Sequence, residues 1–270
     1  MKKYIDIVNE IHSSPYKLTI VSSGGGTNAI SALLEVPGAS NTILESHIPY
    51  SKESMNSFLN KEPDHYCSLD TCLNMAANAF KKSKQIDTSS KTKHLLGISI
   101  TANLATTYEK KGDHKFFIVV QAYDYTKYLE CYLDKGKRTR EEEEELITAC
   151  VISLLADSCG FEFTIPEIDE DIKINKVIAE KSWKKLFNNK VGFISNNQNN
   201  PELIFPGSFN PLHEGHIKMK ELAEKKTGMH TTFEICANNA DKPPLTFYEI
   251  KRTIDQFQND ESWMLTSAGR

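Results

Sequence analysis

The chain has 270 residues, of which 39% are hydrophobic and 25% charged, so it can fill more than one soluble core. A formal net charge of −4, with eight Lys/Arg against ten Asp/Glu from Pro201 onward, gives no electrostatic reason to expect nucleic acid as a partner. No apolar run approaches the roughly 18–20 residues of a membrane span, and Met1-Lys2-Lys3-Tyr4-Ile5-Asp6 lacks the apolar centre of a signal peptide. Six cysteines occur without a CxxC pair, and Cys67 and Cys72 have no histidines at zinc-finger spacing. Buried thiols in a reducing, cytoplasmic setting are expected, and no metal centre.

Ile5, Val8 and Ile11 recur at three-residue steps and predict a short amphipathic helix. A strand from Lys17 to Val21 runs into Ser22-Ser23-Gly24-Gly25-Gly26 and a helix reaching Leu34, and a second strand spans Thr42 to His47. Helices are predicted at 52–60 and 70–82, and strands at His94–Ile98, Phe116–Val120 and Tyr128–Leu133. Thr139-Arg140-Glu141-Glu142 is a capping box opening a helix through Leu155, and the glutamates 141–145 read as a solvated first turn complementing the helix dipole. These elements make residues 1–165 an α/β domain. Residues 166–200, with one helical stretch around Val177–Phe187 and the polar run Asn196–Asn200, read as a linker. Residues 201–270 then follow a β-α-β-α-β order: strand Leu203–Phe205, helix His213–Lys225, strand Thr232–Ala237, helix Thr246–Gln256, strand Trp263–Leu265. That order predicts a parallel sheet with right-handed crossovers.

The join between the first strand and helix of this last region carries the chemistry: Gly207-Ser208-Phe209-Asn210-Pro211-Leu212-His213-Glu214-Gly215-His216. Gly207 permits a tight turn, Asn210 can cap the helix, and Pro211 suits a first helical position. Free N–H groups of a first helical turn, with the dipole behind them, bind anions. His213 and His216 project from one face, and Gly215 between them offers a close backbone approach to a phosphate.

The segment resembles the nicotinamide mononucleotide adenylyltransferases and related cytidylyltransferase-like proteins, whose pattern is GxFxPxHxGH. Asp241-Lys242-Pro243-Pro244-Leu245 with Arg252 is similar to the family's Lys-Pro-Pro-Leu…Arg element. The resemblance implies His213 and His216 as catalytic residues stabilising the transferring phosphoryl group. It also implies a cradle of Gly207, Ser208, Phe209, Asn210 and Gly215, substrate contacts from Lys242 and Arg252, and Mg²⁺ with a nucleoside triphosphate, ATP or CTP. It covers roughly 70 residues. The family's Ile-Ser-Ser-Thr-x-x-Arg element has no counterpart before Thr266-Ser267-Ala268-Gly269-Arg270, so the expectation is the first half of a Rossmann-like nucleotidyltransferase domain with low activity.

Thr19-Ile20-Val21-Ser22-Ser23-Gly24-Gly25-Gly26 and Val36-Pro37-Gly38-Ala39-Ser40 resemble the CinA C-terminal domain family, some members of which deamidate nicotinamide mononucleotide. The resemblance spans about 150 residues and implies a three-layer α/β domain, with Ser23 in the place of the nucleophile and Tyr50 in that of the family's tyrosine. Met55 stands where the family has lysine, with Lys52 out of register by three, and Ile100, Asn103 and Leu104 replace glycines. A serine without an adjacent base is a weak nucleophile, so this deamidase site reads as degenerate. The expected function is therefore nucleotidyl transfer linked to nicotinamide nucleotide metabolism. A non-catalytic nucleotide-binding or assembly protein and an amidohydrolase acting through Ser23 are the alternatives. Expected partners are a nucleoside triphosphate and a mononucleotide or other phosphorylated small molecule, with a homo-oligomer as a further option and neither nucleic acid nor membrane.

Overall fold

Periodicity alone leaves open how the two sets of elements are assembled. The computed structural model describes residues 2–267 apart from Glu109, Phe163, Gln198, Asn199 and 239–241. Parts of three sequence elements lie outside the described residues: two positions of the 196–200 run, Asp241 ahead of Lys242, and the tail 268–270. The chain is mixed α/β and divides into two compact units, Met1–Lys176 and Val177–Arg270.

The first unit runs α1 (Ile5–Ser13), β1 (Lys17–Ser23), α2 (Thr27–Leu34), β2 (Ile43–His47), α3 (Lys52–Leu59), α4 (Leu69–Ile86), β3 (Leu95–Asn103), β4 (His114–Gln121), β5 (Tyr125–Leu133) and α5 (Arg140–Cys159). With β6 (Ile172–Ile178) the strands form one sheet in the order β2-β1-β3-β4-β5-β6. β1 is parallel to β2 and β3, and the β3-β4 and β4-β5 pairs are antiparallel. Alternation along β1 sends Leu18 and Ile20 into the core with α1, α2 and α5, and Val21 into a cluster with Met55, Leu59, Met75 and Ala79 of α3 and α4. This is the expected three-layer arrangement. In α1 the buried residues are Ile7, Val8, Ile11 and His12, and Ile5 faces outward. Ser51 and Ser68 cap α3 and α4 by accepting from the backbone N–H of Ser54 and Thr71. Gly97 is required by close packing: a Cβ there would lie 2.2 Å from the Phe80 nitrogen and 2.4 Å from the Ala76 carbonyl oxygen of α4.

Two expectations for this unit are corrected. β3 continues five residues beyond Ile98, where a loop was expected. Ser99 and Thr101 interrupt the apolar run yet are buried, because Ser99 donates to the Cys72 carbonyl (2.6 Å) and Thr101 to that of Tyr66 (3.0 Å). The glutamate run is not uniformly solvated either. Glu142 completes the capping box with Thr139, but Glu143 is fully buried, bonded to His114 Nδ1 (2.9 Å) and the Ala105 N–H (2.6 Å).

The second unit contains α6 (Lys181–Phe187), β7 (Phe193–Ser195), β8 (Leu203–Gly207), α7 (Glu214–Thr227), β9 (Thr231–Cys236), α8 (Phe247–Ile254) and β10 (Ser262–Thr266). β8, β9 and β10 are mutually parallel, as the β-α-β-α-β order requires, and β7 adds antiparallel to β10, giving β7-β10-β9-β8. The stretch expected to be a linker is thus structured, with β6, α6 and β7 inside it. The predicted helix at 177–187 begins only at Lys181, since Val177 and Ile178 end β6. Trp183 and Leu186, three residues apart on α6, join the core with Phe209, Phe233, Phe247 and Leu265, Trp183 stacking on Phe247 at 6.1 Å. No helix among the described residues is long and apolar enough to cross a membrane.

Candidate nucleotide-binding loop

β8 ends at Gly207 and the chain turns through six residues before α7 begins at Glu214. The turn is built around Phe209. Its ring is 1% exposed, in edge contact with Phe205, Phe233, Phe257 and His216 at centroid distances of 5.1–5.8 Å. Driving that ring inward places the Phe209 backbone at φ 45°, a left-handed conformation that non-glycine residues hold only when their surroundings enforce it. Gly207 makes room for it, as a Cβ there would lie 2.5 Å from the ring.

The helix start departs from expectation. His213, not Asn210, occupies the N-cap position, and Pro211 lies before the helix, joined to Asn210 by a cis peptide bond. The Asn-Pro pair serves the turn, because the chain needs those residues to pass around the buried Phe209. Asn210 Oδ1 instead accepts from Arg252 Nη2 at 3.3 Å, and Ser208 Oγ from Lys242 Nζ at 3.4 Å. Two cations from separate elements therefore converge on the loop, Arg252 from α8 and Lys242 from the segment before it. That segment is fixed by the capping box of Thr246 with Glu249 and by the Leu245 N–H donating to the Ala237 carbonyl at 2.9 Å.

His213 and His216 are brought together as their spacing implied, their rings stacked 3.7 Å apart. A Cβ at Gly215 would sit 3.0 Å from the His213 ring, so its bareness admits the histidine. The His213 N–H donates to His216 Nδ1 at 3.3 Å, which leaves Nε2 as the protonated donor nitrogen of a neutral ring. Burial, and secondarily the neighbouring His213, hold His216 below the usual histidine range and favour that neutral donor form. The N–H groups of Glu214 and Gly215 belong to the first turn and have no acceptor within the helix. The loop is thus ringed by donors, as a phosphate site requires. Gln256, just past α8, was not predicted. Its side-chain amide donates to the Phe209 carbonyl (2.9 Å) and accepts from the Leu212 N–H (2.8 Å). No motif marks it.

The other candidate site lies in the first unit at the ends of β1 and β3, where Ser23 pairs with Thr101. Ser23 Oγ donates to the Pro49 carbonyl at 3.0 Å, and the Tyr50 side chain is 70% exposed. Met55 is buried in the apolar cluster behind the strand, and Lys52 Nζ lies 5.7 Å from the Tyr66 ring centroid. The structure places no base beside Ser23 among the described residues. Glu144 Oε2 accepts from the Gly26 N–H at the start of α2 (2.6 Å), and Arg140 Nη2 donates to the Gly24 carbonyl at 2.8 Å and sits 3.3 Å from Glu144. The chain's own carboxylate therefore occupies the glycine turn.

Residues 204–267 match the cytidylyltransferase-like family. No curated protein matches the sequence. Solved structures similar to the chain include the competence/damage inducible protein CihA from Agrobacterium tumefaciens, at 15% identity over 57% of this chain and 90% of that one, with a TM-score of 0.40. A competence or damage-inducible protein from Enterobacter asburiae is 16% identical over 57% and 94% (TM-score 0.42). A CinA superfamily protein from Enterobacter cloacae is 14% identical over 56% and 91% (TM-score 0.43).

Proposed function

We propose that the second unit binds a nucleoside triphosphate, ATP or CTP, through residues 207–216 and serves nucleotidyl transfer to a mononucleotide or other phosphorylated small molecule. A place in nicotinamide nucleotide or related cytidylyl metabolism belongs to the same reading. The observation that carries it is the pairing of His213 and His216 at the N-terminus of α7, directly after a parallel strand, inside the segment matching the cytidylyltransferase-like family. In such a transfer an acceptor phosphate oxygen attacks the α-phosphorus in line and pyrophosphate leaves, while charge builds on the non-bridging oxygens. His216 Nε2–H and the first-turn N–H groups of α7 would meet that charge, and Lys242 and Arg252 the leaving phosphates. The described residues contain no group of three or more His, Cys, Asp or Glu able to hold an ion. Magnesium, where it accompanies the triphosphate, would supply neutralisation of its phosphate charge.

For the first unit we infer a scaffold role, supported by the Ser23 hydroxyl being spent on the Pro49 carbonyl and by Glu144 filling the glycine turn. The test of the main reading is pyrophosphate release from ATP or CTP with nicotinamide mononucleotide as acceptor, in parallel with binding of each triphosphate. Saturable triphosphate binding is expected; its absence for both nucleotides would overturn the reading.

A further inference from the structure

The loop that carries the histidine pair holds an unfavourable backbone conformation at Phe209, and the strain has to be balanced by contacts from outside the loop. Ring packing fixes the side chain of Phe209 but not the peptide groups on either side of Asn210-Pro211. Among the described residues, the side chain that holds those peptide groups is that of Gln256. Gln256 receives the Leu212 N–H on its Oε1 and gives its Nε2–H to the Phe209 carbonyl, spanning the turn with both ends of one planar amide. Phe257 next to it packs on Phe209 and Phe233, which anchors the Gln256 backbone to the same core. Leu212 immediately precedes His213, whose N–H orients His216.

We propose that Gln256 is a positioning residue for the nucleotide site: by clamping Phe209 and Leu212 it sets where His213 starts the helix and where His216 Nε2–H points. The proposal rests on the nucleotide-binding reading and adds to it a residue that touches no substrate. A carboxylate could take the Leu212 N–H but could not donate to Phe209, and an apolar side chain of equal length could do neither. The planar amide serves both ends at once.

The experiment compares the full chain with Gln256→Met, which keeps length and bulk, and Gln256→Glu, which keeps one of the two bonds. The measurements are thermal midpoint, hydrogen exchange of the Leu212 amide, and binding of ATP, CTP, adenosine and cytidine. With Gln256→Met we expect a thermal midpoint within a few degrees of wild type, exchange at Leu212 faster by about tenfold, and triphosphate affinity lower by about tenfold with nucleoside binding nearly unchanged. Gln256→Glu should retain the Leu212 protection. Unchanged exchange at Leu212 in Gln256→Met would overturn the clamp, and faster exchange with unchanged triphosphate affinity would overturn its positioning role. Failure of wild type to bind either triphosphate would sink the nucleotide reading instead. The clamp would then be judged on exchange and on the shift of the His216 ring resonances, and no change in both would reject it.

Discussion

Both units contain a parallel strand that ends in a glycine-bearing turn and hands over to a helix, and the two turns treat negative charge in opposite ways. In the first unit β1 leads through Gly24-Gly25-Gly26 to α2, and the Glu144 carboxylate, reaching across from α5, sits on the Gly26 N–H with Arg140 beside it. In the second unit β8 leads through Gly207 to α7, and the groups gathered there are His216, Lys242, Arg252 and first-turn N–H groups. One turn has its anion built in; the other presents donors. A glycine turn before a helix thus specifies a preference for negative charge and leaves open who supplies it.

The largest expected effect comes from removing the built-in anion. Glu144→Ala leaves the buried Gly26 N–H without its acceptor and Arg140 without its carboxylate partner, which should cost about 1–3 kcal/mol of stability by denaturant unfolding. A loss within error of zero would mean that the carboxylate does not fill the turn.

Acid should act through a second pair in the first unit. Arg138 hydrogen-bonds Glu170 and lowers its carboxyl from 4.5 to about 2. A depressed folded-state value contributes stability that is fully present above pH 4.5 and is lost as pH falls from there toward 2. Arg138→Met should flatten that part of the stability–pH curve. A wild-type curve already flat between those values would contradict the assignment.

The smallest effect expected is none. Ammonia release from nicotinamide mononucleotide should be absent in wild type and unaltered in Ser23→Ala, because Ser23 Oγ is bonded to the Pro49 carbonyl and, among the described residues, to no base. Release that disappears with Ser23→Ala would restore the amidohydrolase reading.

Much of this contrast was legible in the sequence for the second unit and little of it for the first. The β-α-β-α-β order and the histidine pair follow from local spacing, and the parallel sheet realises them, whereas the place of Lys242 and Arg252 beside the loop was implied only by the resemblance to the family's Lys-Pro-Pro-Leu…Arg element. What escaped depends on long-range partners. Glu143 and Glu144 look like a solvated run because their acceptor role is set by Ala105 and Gly26, 38 and 118 residues away. Asn210-Pro211 imitates a cap and first helical residue, but burial of Phe209 uses that pair in the turn and gives the N-cap to His213. β7 is three residues long, too short for a period to declare itself, and Gln256 acts through a bridge to residues 44 and 47 positions earlier.

The loop at 207–216 is proposed as a phosphate site whose key donor is His216. Titration calorimetry of wild type and His216→Ala with ATP, CTP and the corresponding nucleosides tests it most directly. His216→Ala should weaken triphosphate binding by about 1–3 kcal/mol, one charge-assisted contact, and leave nucleoside binding nearly unchanged. Equal losses for triphosphate and nucleoside, at an unchanged melting temperature, would contradict it.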